Sequence, residues 1–200
     1  MPKIVDHEEV RQRIVDNAVS VFASKGYYST NIIDIANKAG ISRTAIYQYY
    51  NNKDQIFFQV VELIVDLLRR EVILINSDDS KSRIDTIKDI IAKVLYTFSK
   101  NQELAIILIE IRMMFNKENS HLLTQQIRIY LKDLFDLIKL NIDKAIKHGE
   151  IKVVDSHSSA YMILLLLQSY LLDCGINQVV SVEQFISNFE MVLDCFIKKS

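Results

Sequence analysis

The stretch ISRTAIYQYYNNK, residues 41–53, places three tyrosines and two cations within thirteen positions. A buried helix has little use for phenols, and a solvated one little use for aromatic rings. The composition points to a surface that meets a polar, charged partner. On a helix beginning near Arg43, residues 43, 44, 47 and 48 share one face. In the major groove of duplex DNA, Arg43 has the fork to pair with guanine O6 and N7. Gln48 has the amide to pair with adenine N6 and N7. The hydroxyls of Thr44 and Tyr47 suit phosphate oxygens, and Lys53 can neutralise a phosphate. Ser42 and the first turn behind it offer backbone N–H groups to an anion. Tyr49 and Lys53 sit at the far edge of this face. Ala45, Ile46 and Tyr50 occupy the other side, where Ile35, Ala39 and Ile41 can receive them. Ordinary helix packing is the competing account of the tyrosines, and it is strongest for Tyr50.

The elements that position these residues are helices. Half of the 200 residues are apolar, enough for a sizeable core, while four glycines and one proline leave little punctuation for strands or hairpins. Net charge near −1 makes no global case for nucleic acid, so a basic surface must be local. Residues 25–53 carry Lys25, Lys38, Arg43 and Lys53 against a single acid, Asp34. Cys174 and Cys195 lack metal spacing and read as buried thiols. Residues 3–13 are too charged to open a signal peptide, and the unbroken apolar part of AYMILLLLQSYLLDCG is shorter than a bilayer span. The chain reads as a soluble cytoplasmic protein with no membrane partner.

Apolar spacing predicts a first helix over about 7–25, closed by Gly26. A short helix over about 31–38 follows, capped from Ser29, Thr30 or Asn31, and Ala39-Gly40-Ile41 breaks it. Ser42 caps a third, over about 42–50, and two short helices around a glycine turn make a helix-turn-helix. A longer amphipathic helix begins near Lys53, and NSDDSKS (76–82) is the best linker. Beyond it, helical patterns run over about 83–99, 103–115, 119–147, 156–174 and 182–198, with a capping box from Ser181 and Gln184 for the last. The fold class is all-α. Residues 1–52 form a three-helix DNA-binding domain, and 53–200 a larger helical domain.

Residues 27–56, YYSTNIIDIANKAGISRTAIYQYYNNKDQI, resemble the DNA-binding segment of TetR-type transcriptional regulators. Thr30, Asp34, Ile35, Ala36, Ala39, Gly40, Ile41, Ser42, Ile46, Tyr47, Tyr49, Lys53, Asp54 and Ile56 carry the match, which extends back through the first helix. The resemblance implies that Arg43, Thr44, Tyr47 and Tyr49 face DNA. It also implies that Lys53, and Thr30 or Asn31, hold phosphates. Thr44 replaces a common glycine, Ile33 stands where a polar residue is usual, and Tyr50 replaces a phenylalanine.

For the larger domain the resemblance implies a dimer interface and a pocket whose ligand loosens DNA binding, as in a ligand-responsive repressor; an activator or architectural DNA-binding protein of the same fold, regulated by a protein partner, is the alternative. The segments 156–174 and 182–198 carry Tyr161, Leu164, Leu167, Leu171, Phe185, Phe189, Val192 and Phe196. The first of them is apolar nearly all round, as a helix buried in both a core and a partner would be. Two such helices from each protomer would close a two-fold four-helix bundle, setting the reading heads about 34–36 Å apart on a palindromic operator. Tyr96, Met113, Met114 and Tyr130 are candidates to line a cavity for a small-molecule effector. Glu110, Arg112, His121, Gln125 and Gln168 are candidate polar handles; plain core is the alternative account of the methionines and rings, and a solvated or paired side chain that of the polar residues. His7, His121, His148 and His157 are scattered, with no phosphate loop and no base–nucleophile constellation. No catalytic, metal or cofactor site is expected.

Overall fold

The computed structural model describes residues 7–114, 121–176 and 180–194, except for the side chains at 112–114, 121–124, 126, 127, 175 and 176. Among these residues the chain is all-α, in nine helices. They are α1 (His7–Lys25), α2 (Ile32–Lys38), α3 (Arg43–Ile46), α4 (Lys53–Asn76), α5 (Arg83–Lys100), α6 (Gln102–Met114), α7 (His121–Lys147), α8 (Ser156–Ile176) and α9 (Val182–Asp194).

The predicted third helix is shorter than its sequence pattern. After Ile46 the backbone tightens, with Gln48 N–H bonded to the Ala45 carbonyl at 3.1 Å and Tyr49 N–H to that of Ile46 at 3.0 Å. Those are three-residue bonds, which wind the chain more tightly than an α-helix does. Tyr50 N–H still reaches the Ile46 carbonyl at 3.0 Å, so the segment keeps turning in the same sense.

The small N-terminal head is built from caps. Asn31 and Asp34 form a reciprocal capping box at 3.0 Å each way, and Asp34 also holds Lys25 of α1 at 2.8 Å. Gly40, at φ 69°, closes α2 on itself. Its N–H bonds the Asn37 carbonyl and that of Ile41 bonds Ala36, the pair of bonds that defines a Schellman end. Ser42 then caps α3 through the Ala45 N–H at 3.1 Å. Beneath these caps lie the fully buried Ile14, Ala18, Phe22, Ile35, Ala36 and Ile46, with Tyr50 only slightly exposed.

The larger part is a stack of long helices. α4 packs on α1 and α5, α6 on α1 and α8, and α7 on α5 and α8. Its core includes Ile87, Ile90, Leu95, Phe98, Ala105, Ile107, Ile138 and Ala160. Cys174 is buried with its Sγ 3.4 Å from the Phe98 carbonyl, as expected of a core thiol. Cys195 lies outside the described residues. Gln184 N–H is capped by Ser181 Oγ at 3.2 Å.

Candidate functional site

α3 presents the face expected of it. Ser42, Arg43, Thr44, Tyr47 and Gln48 are exposed, Tyr47 at 45 %, while Ile46 and Tyr50 point into the head. Tyr49 is half-buried. Its ring lies 5.7 Å from His7 and 6.0 Å from the Arg11 guanidinium, which is also 5.5 Å from Tyr50. α1 therefore brings a cation and an imidazole to the edge of this face. Position alone could not single them out, since they read as solvated positions of an amphipathic helix.

Three expectations need correction. Thr30 is 2 % exposed and donates to the Gly26 carbonyl at 2.8 Å, so its hydroxyl is turned inward. Asn31 is the exposed cap. Lys53 does not extend into solvent: its ammonium donates to the carbonyls of Tyr27 at 2.7 Å, Thr30 at 2.9 Å and Tyr28 at 3.3 Å. An ammonium has three protons, and all are committed. With Lys25 paired to Asp34 and the Lys53 ammonium held by carbonyls, the net local charge is unchanged, but its outward cations are Lys38 and Arg43, both exposed.

Tyr27 joins this head to the rest of the molecule through four groups at once. Its carbonyl accepts from Lys53, and its hydroxyl donates to Asp54 Oδ1 at 2.5 Å. Its ring packs against Phe57 at 4.8 Å and Phe22 at 6.1 Å. Burial, reinforced by the Asp54 carboxylate, pushes its phenol well above a tyrosine's ordinary pKa. Its backbone N–H is the fourth group. Gly26, at φ 75°, ends α1 with one bond from its own N–H to the Phe22 carbonyl at 2.8 Å. In the Schellman end at Gly40 the next N–H folds back onto the helix. Here the Tyr27 N–H is taken instead by Glu110 Oε2 of α6, at 3.1 Å. A helix of the larger part thus completes the cap of α1.

On the same helix α6, Leu108 and Ile111 line a cavity of about 370 Å³. α4 supplies Val61, Ile64, Val65, Leu68 and Val72, and α5 supplies Val94 and Phe98. α7 adds Leu134 and Leu137, and α8 adds Leu164, Leu167 and Leu171. Its polar lining is Arg69, Asp133, Tyr130 and Gln168. Arg69 Nη2 lies 3.3 Å from Asp133 Oδ2, with its guanidinium 5.0 Å from the centre of the Tyr130 ring. Tyr130 and Gln168 line the cavity, as expected. Tyr96 does not: it is exposed elsewhere on α5. The Met113 and Met114 side chains lie outside the described residues. Arg69 and Asp133 were missed because, 64 residues apart, each reads as a solvated position of an amphipathic helix.

The residues expected at a dimer interface divide. Leu167 and Phe189, each 3 % exposed, and Leu164 belong to the protomer's own core. Leu164, Leu167 and Leu171 face the cavity, and half-buried Phe185 packs on Tyr170 at 4.9 Å. Tyr161, at 56 %, and Val192 are outward, and Phe196 lies outside the described residues. With Tyr161, the exposed Met162, Leu165 and Leu172 draw an apolar stripe along α8. Among the described residues no group of His, Cys, Asp or Glu is arranged to hold a metal, and no helix is long and apolar enough to cross a membrane.

Residues 14–60, α1 through the first third of α4, match the family model of bacterial regulatory proteins, tetR family. The chain thus carries a TetR-type DNA-binding segment. Its helix-turn-helix, α2 and α3, lies wholly within that match, and the proteins it resembles are transcriptional regulators. Over 196 residues it is 26 % identical to the negative transcriptional regulator of the biofilm operon, IcaR, of Staphylococcus aureus, covering 95 % of this chain and all of that one. Among solved structures it superposes on Bacillus subtilis FadR in complex with stearoyl-CoA at a TM-score of 0.75, with 23 % identity and 94 % and 97 % of the two chains covered. It also superposes on AibR in complex with isovaleryl coenzyme A and operator DNA at 0.74, with 16 % identity and 90 % and 95 % covered. These likenesses extend over the whole chain, not only its head, and show a shared fold.

Proposed function

We propose that the protein is a homodimeric repressor released from a palindromic operator by a small apolar ligand bound in the larger domain. The observation that carries this reading is the pairing, in one chain, of an exposed Arg43–Thr44–Tyr47–Gln48 face with an aliphatic cavity on the helix that caps the head. Residues 1–52 are the reading head and 53–200 the effector and dimerisation domain. Arg43 and Gln48 read base edges in the major groove, while Asn31, Ser42, Thr44, Tyr47 and Tyr49 position the backbone. Lys53 holds the head together in place of gripping phosphate itself. The α8 stripe of Tyr161, Met162, Leu165 and Leu172, with Val192 of α9, is the two-fold contact.

Release follows from the geometry at Tyr27. A ligand shifts an equilibrium only through differential affinity for two arrangements. One that wedges between α4 and α6 moves Lys53, Asp54 and Glu110 together, and these groups hold three polar handles of Tyr27. The head then turns on its own caps, and the spacing of the paired α3 helices changes. Selection of genomic DNA fragments by the purified protein, followed by a salt titration on the winner, tests the reading. A single palindromic site, bound with a steep salt dependence, is the expected result. Weak, sequence-blind binding would overturn it.

A further inference from the structure

The cavity's lining narrows the ligand class, an inference that rests on the ligand-responsive reading above. We infer that the cavity takes a medium-length aliphatic acyl chain whose carbonyl or carboxylate oxygens face Arg69. Three observations combine. First, three quarters of the described lining residues are Val, Ile or Leu, and Phe98 and Tyr130 are the only described rings, so among the described residues there is no aromatic sandwich for a planar ligand. Flexible aliphatic walls suit a flexible aliphatic guest.

Second, the polar groups are gathered at the opening. Arg69 and Asp133 have side chains 46 % and 58 % exposed, and Ile73 and Leu131, also exposed, stand beside them in the lining. The charged end of a ligand therefore stays at the mouth between α4 and α7 while its tail enters. Donors outnumber acceptors there. Arg69 has five N–H groups and spends one described bond on Asp133, and Tyr130 adds a phenol against the guanidinium face. Asp133, the sole carboxylate among the described lining residues, already accepts from Arg69. An oxygen-rich head completes this set, and a cationic one would meet Arg69 head-on.

Third, the volume sets the length. At ~30 Å³ for each water-sized group, a cavity of about 370 Å³ holds a tail of roughly ten to twelve carbons. Longer tails must leave the cavity or force its walls apart. Free acids and acyl thioesters share this chemistry.

The test is calorimetric titration of the purified full chain with saturated acids of six to sixteen carbons, with the matching coenzyme A thioesters, and with decanol and a decyl trimethylammonium ion. Affinity should rise about fourfold per added methylene up to the optimum, then level or fall beyond twelve carbons. Decanoate or decanoyl thioester should bind at least about tenfold more tightly than decanol. Whichever of the two binds more tightly identifies the source of the chain. Arg69→Gln, a change at a half-exposed position, should remove most of that advantage and leave decanol unchanged. Leu167→Phe should shift the optimum to shorter chains. The inference is overturned if affinity is independent of chain length, if the cationic amphiphile binds best, or if Arg69→Gln changes nothing. Release from the selected DNA fragment is read separately. Acyl chains that bind without releasing DNA would sink the proposed regulation and leave the ligand class standing. Release by planar aromatic compounds alone would do the reverse.

Discussion

The bond between Glu110 and the Tyr27 N–H is the narrowest link between cavity and reading head, and its removal has a calculable effect. A hydrogen bond to a charged acceptor is worth about 1.5–3 kcal/mol, against roughly 0.5–1.5 for a neutral one. Glu110→Ala leaves the Tyr27 N–H to find water in a half-covered site, so it should lose close to the full amount locally. Glu110→Gln keeps an oxygen acceptor and should lose about 1 kcal/mol. With about 1.4 kcal/mol per factor of ten, the Tyr27 amide should exchange with solvent roughly 10- to 150-fold faster in Glu110→Ala. In Glu110→Gln the acceleration should be about fivefold.

Site-resolved amide exchange measures this, with the Gly40 and Ile41 amides as internal controls. Both belong to the head, but their bonds close within α2, so they should hardly change. Gly26→Ala gives an independent check. A Cβ there would lie 3.0 Å from Glu110 Oε1, at a φ of +75°. The left-handed conformation alone costs about 1–2 kcal/mol. Combining it with Glu110→Ala removes the contact but not the backbone strain, so the double variant should lose less stability than the sum of the singles. Equal acceleration at Tyr27 and Ile41 would mean that Glu110 merely stabilises the whole protein. No acceleration at all would refute the link.

Four further outcomes are expected. Arg43→Ala should cost about 1–3 kcal/mol on the selected site and relax base preference; equal loss on random DNA would remove it from base readout. Lys53→Ala strands three carbonyls, so it should lower the melting temperature and leave the slope of affinity against salt unchanged. A slope smaller by about one would return Lys53 to phosphate contact. Leu165→Glu, on the exposed face of α8, should shift the protein to monomer in sedimentation and weaken binding to a two-half-site fragment far more than to a single half-site. Because the folded protein raises the Tyr27 pKa, its stabilisation is complete below the unfolded value of about 10 and fades as pH climbs beyond it. Melting temperature should therefore fall above pH 10, less steeply in Tyr27→Phe, and parallel curves for the two proteins would contradict this.

The head was legible because its signals are local. A C′ glycine and an N-cap act within four residues, and the spacing of Ile35, Ala39 and Ile46 fixes which side of α3 is outward. The Lys25–Asp34 pair and the inward turn of Lys53 went unread for a different reason. The charges are visible in sequence, but their partners are not: Lys25 is nine residues from Asp34, and the carbonyls that hold Lys53 are 23 to 26 residues away. Counting cations in a segment takes no account of which of them the backbone has already used.

α8 shows the same limit more sharply. Its apolar residues run nearly all round, and the sequence reading assigned Leu164, Leu167 and Leu171 with Tyr161 to a partner protomer. An all-round apolar helix has several faces to bury but no internal sign of which neighbour buries which. In the structure one face closes the cavity through Leu164, Leu167 and Leu171, and another, Tyr161, Met162, Leu165 and Leu172, stays exposed. The division matters for regulation, because a single rigid helix then separates the ligand from the proposed two-fold contact. A cavity change that tilts α8 would reach both the partner and, through α6 packed against it, the Glu110 cap. Substitutions on the two faces should therefore separate. Leu167→Ala should alter ligand affinity with the dimer intact, whereas Leu172→Glu should dissociate the dimer with the cavity intact. If Leu172→Glu abolished ligand binding in a folded monomer, the two faces would not be independent, and the cavity would need its partner to exist.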